Sequence, residues 1–244
     1  MFPIRDHNPS GRTPYVTFAL LAANIAVFCA YWLTMDDNQI GWFLYTWGLV
    51  PAQLTQGNGY VTLITHMFLH AGWLHLAGNM LFLWIYGDNL EEEMGHLGFL
   101  VFYIAAGLGA AALQSVADLG TDVPMVGASG AIAGVMGGYL LMFPRARVDV
   151  VFIFIIFFRI FAIPAWIVLG VWLGIQLVSG LAIPSADGVA YLAHIGGFAA
   201  GLILTIPVWL RRGAFSFWRN TAGHPPHPPV DYKLSKSRIP QIRR

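Results

Sequence analysis

The chain has 244 residues, of which 57% are hydrophobic and only 10% are charged, and its mean hydropathy is +0.63. A composition this apolar is typical of an integral membrane protein and excludes an ordinary soluble domain. The net charge of +1 gives no reason to expect a nucleic-acid partner, so the lipid bilayer is the expected surrounding.

Apolar runs without charge are the main predicted elements, because a helix needs about 20 apolar residues to cross the hydrocarbon. The polar segment 1–14 lacks the small-residue cleavage site of a signal peptide and is predicted to remain as a cytoplasmic N-terminal segment. We therefore expect an all-α polytopic membrane protein, with a membrane domain over 15–212. Its six predicted spans are 15–33, 71–87, 97–117, 123–144, 160–186 and 188–210.

Two further stretches are predicted to lie outside the hydrocarbon core. The apolar stretch 150–158 is bracketed by Asp149 and Arg159 and is too short to span, which indicates an interfacial or re-entrant segment. The segment 213–244 is basic and rich in proline, which predicts a disordered cytoplasmic tail near anionic lipid headgroups.

The basic residues predict the orientation of the six spans. Both ends of a six-span chain lie on one side, and all 13 lysines and arginines then fall on that side. The positive-inside rule makes this side cytoplasmic. We therefore expect a multi-pass protein of a bacterial inner membrane with both termini in the cytoplasm. The opposite loops carry only acidic charges: Asp36, Asp37, Asp118, Asp122 and Asp187.

The fourth span begins with "GASG", in which Ser129 lies between Gly127 and Gly130. A helix from Ser129 to just before Pro144 covers only roughly 20 Å of a hydrocarbon core about 30 Å thick. Residues 122–128 must then enter the protein as irregular backbone, which is tolerated at that depth only beside a cavity or inside protein. The pattern predicts a recessed pocket with Ser129 at its floor and free backbone N–H groups that can hold an oxyanion.

A serine hydroxyl is a weak nucleophile until a base takes its proton, and His194 is the candidate base. It lies about one turn inside the outer end of the sixth span, at a depth similar to that of Ser129. Gly197 and Gly201 share its helix face, and small residues on one face let another helix approach closely. We expect two close-packed helices to bring His194 within hydrogen-bond reach of Ser129.

The stretch "HAGWLHLAGN" opens the second span and carries polar side chains. His75 and Asn79 are four residues apart and therefore share one helix face near the outer end of the span. Both can donate hydrogen bonds to a tetrahedral oxyanion in a water-poor site. His70 precedes the helix and is expected to help fix the loop above it.

These three motifs, in this order and on these spans, resemble those of the rhomboid intramembrane serine proteases over roughly 16–212. The resemblance implies a six-helix rhomboid bundle with a long first outer loop. It implies a Ser129–His194 catalytic dyad, with oxyanion contacts from His75, Asn79 and the Ser129 backbone N–H. It also implies cleavage of transmembrane protein substrates near the outer face without a cofactor or metal.

The chain departs from some members of that family at two places. It has "NGY" at 58–60, where some members have a Trp-Arg pair, and Ala133, where some have an aromatic residue four positions after the serine. Neither difference touches the dyad. They bear on the packing that orients His194 and on the rigidity of the first loop.

Two other classes of function remain open at this point. A serine between glycines, or a lone histidine in a span, is more often a packing or hydrogen-bonding residue. A zinc or haem protein could use His66, His70 and His75, although no Cys, Asp or Glu lies near them to complete a structural site. A non-enzymatic rhomboid-like protein could bind membrane helices without cutting them, but it is expected to lack the serine or the histidine.

Overall fold

The structure, a computed structural model, describes residues 2–8, 10–154, 157–182 and 189–230. Helices account for most of these residues. A short 3-10 turn at His66–Phe68 follows the fourth helix. In chain order the helices are α1 (Tyr15–Trp32), α2 (Asp37–Trp47), α3 (Pro51–Thr55), α4 (Thr62–Thr65), α5 (Trp73–Met94), α6 (His96–Ala117), α7 (Ser129–Met142), α8 (Ala165–Ala182), α9 (Tyr191–Arg211) and α10 (Phe215–Thr221).

The helices differ in their capacity to cross a membrane. Among the described residues, α1, α6 and α9 are each long and apolar enough to span. α5 meets this criterion together with the turns at Thr62–Phe68, from which it is bent by 95°. The helices α7 and α8 are apolar but shorter. The number of six crossings therefore stays a prediction.

α7 lies in the interior of the bundle, and nearly all of its residues are buried. Its small side chains let two neighbours approach its backbone. A Cβ at Gly197 of α9 would overlap the carbonyl oxygen of Gly130, and one at Gly201 would overlap that of Gly134. A Cβ at Gly134 would in turn overlap the methyl group of Ala106 on α6. α7 is therefore held between α6 and α9 by contacts that leave no room for larger residues.

A three-stranded antiparallel sheet makes the all-α prediction wrong. The strands β1 (Phe2–Asp6), β2 (Arg147–Phe154) and β3 (Phe157–Pro164) lie side by side in that order. The stretch 150–158, predicted to be interfacial or re-entrant, belongs to β2 and β3, with 155–156 outside the described residues. A run rich in valine, isoleucine and phenylalanine suits a strand equally well. Its partner β1 is more than 140 residues away in the sequence, so the pairing leaves no local signal.

The fifth apolar helix begins later than predicted. Residues 160–164, which the predicted span 160–186 includes, belong to β3, and α8 begins only at Ala165. Pro164 suits this boundary, because proline lacks the N–H group that a strand or helix interior would use. Residues 183–188, where this predicted span ends and the next begins, lie outside the described residues.

The C-terminal segment 213–244, predicted to be disordered, is ordered as far as residue 230, so the prediction is wrong for that part. α10 buries Phe217, and Trp218 Nε1 donates a hydrogen bond of 3.0 Å to the carbonyl of Leu141 in α7. The N–H of Val230 donates to the carbonyl of His7 at 2.7 Å. The proline content suggested disorder, whereas the aromatic residues of α10 supply an apolar surface to bury. Residues 231–244 lie outside the described residues.

Charged groups hold β1 against β2. Asp149 of β2 accepts hydrogen bonds from Arg5 Nε at 2.7 Å and from His7 Nε2 at 2.6 Å. Burial raises the pKa of the Asp149 carboxyl, but the hydrogen bonds from His7 and Arg5 outweigh burial and hold the pKa below its ordinary value. This carboxylate therefore stays ionised and fastens the first strand to the second.

Asp6 connects β1 to the end of α7 that lies away from Ser129. The hydroxyl of Tyr139 in α7 donates to Asp6 Oδ2 at 3.2 Å. Burial, reinforced by the neighbouring carboxyl of Asp88 in α5, raises the pKa of Asp6 to about 7. The charge of Asp6 therefore changes near neutral pH, beneath the central helix.

Candidate active site

A cavity of about 590 Å³ lies at the N-terminus of α7. Its walls come from α5, α7, α8, α9 and the backbone that precedes α7. The four residues that the sequence analysis assigned to the dyad and to the oxyanion line it, and they come from three helices: Ser129, His194, His75 and Asn79. Side chains from distant parts of the chain thus border one space.

The irregular backbone before α7 is fixed from the side of the first loop. Met125 and Leu49 exchange two backbone hydrogen bonds of 2.8 and 2.9 Å, and the N–H of Gly127 donates to the carbonyl of His66 at 2.9 Å. Gly127 has φ +129°, a conformation that residues with a Cβ rarely adopt. A Cβ there would also lie 2.7 Å from His75 Nε2. Both its conformation and the nearby imidazole therefore require glycine.

The side chains of Ser129 and His194 meet where α7 and α9 are packed closely. His194 Nε2 lies 2.9 Å from Ser129 Oγ, within hydrogen-bond distance. Ser129 is the first residue of α7, and His194 lies in the first turn of α9. Gln114 of α6 accepts a hydrogen bond of 3.0 Å from the N–H of Ala193. The backbone N–H groups in the first turn of a helix have no partner within the helix, and Gln114 supplies one here. The backbone contacts at Gly197 and Gly201 fix the separation of the two helices.

The other ring nitrogen of His194 faces α8. Gln176 Oε1 lies 2.7 Å from His194 Nδ1, and Gln176 is only 7% exposed. The indole ring of Trp172 packs against the imidazole, with ring centroids 5.7 Å apart and planes inclined by 40°. The sequence analysis assigned no role to either residue. The signal for Gln176 was an amide within an otherwise apolar span, which is costly without a partner.

His75 and Asn79 border the cavity from the first turns of α5. The N–H of Ala71 donates to His75 Nδ1 at 3.4 Å, which leaves Nε2 as the protonated nitrogen beside Gly127. Asn79 is buried, and its Nδ2 has no hydrogen-bond partner among the described residues. Two donors of α5 next to the cavity that Ser129 lines thus have no hydrogen-bond partner in the described part of the chain.

His66 and His70 make contacts that belong to the loop before α5. His66 Nδ1 donates to the carbonyl of Thr62 at 2.7 Å. The backbone of His70 donates to and accepts from the hydroxyl of Tyr31 in α1, at 2.9 and 2.5 Å. Its ring meets the ring of His75 edge-on, with centroids 5.1 Å apart. His70 thereby ties the loop to α1.

The histidines of the zinc alternative are not assembled into a ligand set. Within the part of the chain that the structure describes, no group of three or more His, Cys, Asp or Glu side chains is arranged to hold a metal ion. The ring nitrogens of His70 are buried and have no partner among the same residues.

Comparison with known proteins identifies relatives that match most of the chain. A family model described as the Rhomboid domain matches residues 57–211. Rhomboid protein 1, mitochondrial, of Saccharomyces cerevisiae is 30% identical over 203 residues, which cover 77% of this chain and 51% of that protein. Rhomboid protease GluP of Bacillus subtilis is 29% identical over 203 residues, which cover 83% of this chain and 36% of that protein.

A plant relative shows the same level of similarity. RHOMBOID-like protein 4 of Arabidopsis thaliana is 30% identical over 181 residues, or 74% of this chain and 42% of that protein. The chain thus spans about half, or less, of the length of these three relatives. Because the Rhomboid domain model matches more than half of the chain, the protein belongs to the rhomboid family and is an integral membrane protein.

Proposed function

We propose that this protein is an intramembrane serine endopeptidase that cleaves transmembrane helices of membrane protein substrates near the outer face of the bilayer. Ser129 is the nucleophile and His194 the base of a catalytic dyad. The observation that carries the proposal is the 2.9 Å contact between His194 Nε2 and Ser129 Oγ beside the cavity. A serine used only for packing needs no proton acceptor at this distance.

The reaction follows from the positions of these two side chains. His194 Nε2 accepts the Ser129 hydroxyl proton as Oγ bonds to the substrate carbonyl carbon. The tetrahedral intermediate then breaks its C–N bond, and His194 gives the proton to the leaving amine. A water molecule, deprotonated by His194, then attacks the acyl-enzyme ester. His194 returns this proton to Ser129 Oγ as the ester C–O bond breaks and the new C-terminal carboxyl end departs.

The charge on the intermediate requires donors beside Ser129. The backbone N–H of Ser129 has no partner within α7, because it belongs to the first helical residue. His75 Nε2 and Asn79 Nδ2 supply two further donors, and the unpaired state of Asn79 Nδ2 supports this role. Such donors act most strongly where water is excluded.

The orientation in the membrane is part of the same proposal. Six crossings place the cavity toward the outer face, below a first outer loop that contains α2, α3 and α4. The sheet then faces the cytoplasm together with Arg5 and Arg147, which lie in its strands, and Arg145, which lies beside it, as the positive-inside rule requires. This topology places both termini in the cytoplasm, and a bacterial inner membrane is the proposed location.

An active-site-directed fluorophosphonate tests the proposal directly. The parent protein should be labelled at Ser129 and should cleave a model transmembrane substrate, whereas Ser129→Ala and His194→Ala should lose both activities while remaining folded in detergent. The two losses should be strongly non-additive, since either change disables the dyad. Ser115→Ala, which removes a buried serine of α6, is the matched control and should behave like the parent. Labelling that persists in Ser129→Ala would favour a non-enzymatic helix-binding protein.

A further inference from the structure

Gln176 is a buried amide in a helix that is otherwise almost entirely apolar. α8 reads "AWIVLGVWLGIQLVSGLA", and within it Gln176 is 7% exposed. Burying an amide inside a membrane protein costs free energy unless its polar atoms are hydrogen-bonded. Its Oε1 lies 2.7 Å from His194 Nδ1, the ring nitrogen that does not contact Ser129.

The orientation of this amide follows from its second contact. Gln176 Nε2 donates to the backbone carbonyl of Trp172, one turn earlier in α8, at 3.4 Å. A carbonyl oxygen can only accept, so the NH₂ group must face it. The reversed amide would bring two acceptor oxygens together. The Trp172 carbonyl therefore directs Oε1, which is an acceptor only, toward His194.

The acceptor determines which nitrogen of His194 carries the hydrogen. Because Gln176 Oε1 cannot donate, His194 Nδ1 must carry the proton of a neutral imidazole. The lone pair then lies on Nε2, which faces the hydroxyl of Ser129. The opposite tautomer would present an N–H group to Ser129 and could not take its proton.

We propose that Gln176 is a positioning residue that holds His194 in the Nδ1–H tautomer and keeps its Nε2 directed at Ser129. The proposal rests on the proposed function of Ser129 and His194. In the transition state the imidazole becomes positively charged, and its Nδ1–H bond to Oε1 becomes a charge-assisted hydrogen bond. Gln176 thus supplies from a neutral amide the orientation that a carboxylate supplies in soluble serine hydrolases.

Nitrogen NMR of histidine-labelled protein in detergent tests the tautomer without any enzymatic assay. The His194 signals are assigned by their loss in His194→Ala. At neutral pH the parent should show His194 protonated on Nδ1, and Gln176→Met, which keeps the length of the side chain but removes the acceptor, should lose this preference. A parent His194 that carries its proton on Nε2 would overturn the proposal.

Kinetics test the consequence for catalysis. Gln176→Met should lower kcat on the order of 10- to 100-fold, the equivalent of one charge-assisted hydrogen bond, and leave KM nearly unchanged. The rate of fluorophosphonate labelling should fall by a similar factor. Gln176→Glu, with its carboxyl protonated, can donate to the Trp172 carbonyl and accept from His194 Nδ1, and in that form it should recover most of that loss. A parental kcat in Gln176→Met, in a preparation where Ser129→Ala is inactive, would overturn the inference and leave the proposed function intact.

Gln114→Met is the matched control for a general effect on α9. Gln114 also accepts a hydrogen bond from α9, but from the backbone N–H of Ala193 and not from the imidazole. Its replacement should leave the His194 tautomer unchanged and lower kcat far less than Gln176→Met. Equal losses in both variants would show that Gln176 only supports the helix. A parent protein that the fluorophosphonate does not label would instead contradict the proposed function. The NMR result would still decide whether Gln176 holds the His194 tautomer.

Discussion

α9 contacts α7 and α8 in two different ways, and the difference separates two requirements of the site. Toward α7 the contact is between backbones, since a Cβ at Gly197 would overlap the Gly130 carbonyl. Toward α8 the His194 ring meets the side chains of Gln176 and Trp172, and Cβ atoms at Gly170 and Gly174 would meet nothing within 4 Å. The backbone contact fixes the distance between Ser129 and the helix of its proposed base, His194, and the side-chain contact fixes the orientation of the His194 ring.

The two contacts should respond differently to mutation. Backbones in contact cannot yield without separating the helices, whereas side chains can adopt other rotamers. The outer surface of α8 is also open, with Val171, Ile175 and Val178 exposed by 47%, 55% and 68%. We therefore expect changes between α7 and α9 to lower activity more than changes on α8.

The largest expected effect is that of Gly197→Val, which forces α9 away from α7. Displacing a catalytic group by about 1 Å can cost about 100-fold in rate, and overpacking adds about 1–3 kcal/mol of destabilisation. Cleavage should therefore fall by at least this factor, and thermal unfolding in detergent should occur at lower temperature. Gly174→Ala on α8 is the control and should behave like the parent. Parental cleavage by Gly197→Val would show that this contact does not set the geometry of the site.

Asn79→Ala tests the wall of the cavity that α5 provides. Loss of one oxyanion donor typically lowers turnover about 10²–10³-fold without removing the nucleophile. We expect slow cleavage with retained fluorophosphonate labelling of Ser129. Asn24→Ala removes another buried asparagine, whose Nδ2 donates to the Leu20 carbonyl at 2.8 Å, and should affect stability rather than turnover. Equal cleavage by Asn79→Ala and the parent would remove Asn79 from the mechanism.

Trp172→Leu addresses the side-chain contact of α8. Its indole packs against His194 and is also stacked with Phe198, with ring centroids 6.2 Å apart. An aromatic pair contributes about 0.5–1.5 kcal/mol beyond its buried area, so we expect kcat to fall about tenfold or less. Trp166→Leu, at a site that is 55% exposed on the same helix, should have no effect on kcat. A loss as large as that of Gly197→Val would contradict the distinction between the two contacts.

The smallest effect on activity is expected at the far end of α7, where Asp6 accepts from Tyr139. Burial and the neighbouring Asp88 raise the pKa of Asp6 from its ordinary value of 3.8 to about 7. Between these two pH values the folded protein keeps a proton on Asp6 that the unfolded chain has released. The contribution of Asp6 to the free energy of unfolding is therefore fully present below about pH 4 and is lost as the pH rises through 7.

Thermal unfolding between pH 5 and pH 8 measures this dependence. Asp6→Asn keeps an acceptor for Tyr139 and removes the charge, so its stability should exceed that of the parent by more at pH 8 than at pH 5. The control Asp118→Asn, at an exposed position, should follow the parent at both pH values. A pH dependence unchanged in Asp6→Asn would show that another group titrates there.

The parts of the fold that short motifs encode could be predicted from the sequence. The start of α7 at Ser129 and the approach of α9 followed from small residues at helical spacing, because helix contacts depend on local periodicity. The contacts of Gln176 could not be predicted, because nothing in the spacing of α8 shows which face meets His194. The sheet was missed for a related reason, since the ladder joins strands from opposite parts of the chain.

The order of synthesis gives that sheet a further consequence. β1 is synthesised before its partner β2, which begins only at Arg147, after α1, α5, α6 and α7 have been made. At about 5–20 residues per second, the first strand waits roughly 7 to 30 s before its partner strand has been made. An unpaired strand edge is prone to pairing with other chains. Closure of the sheet thus becomes a late step of assembly, reached only when the helix that carries Ser129 is complete.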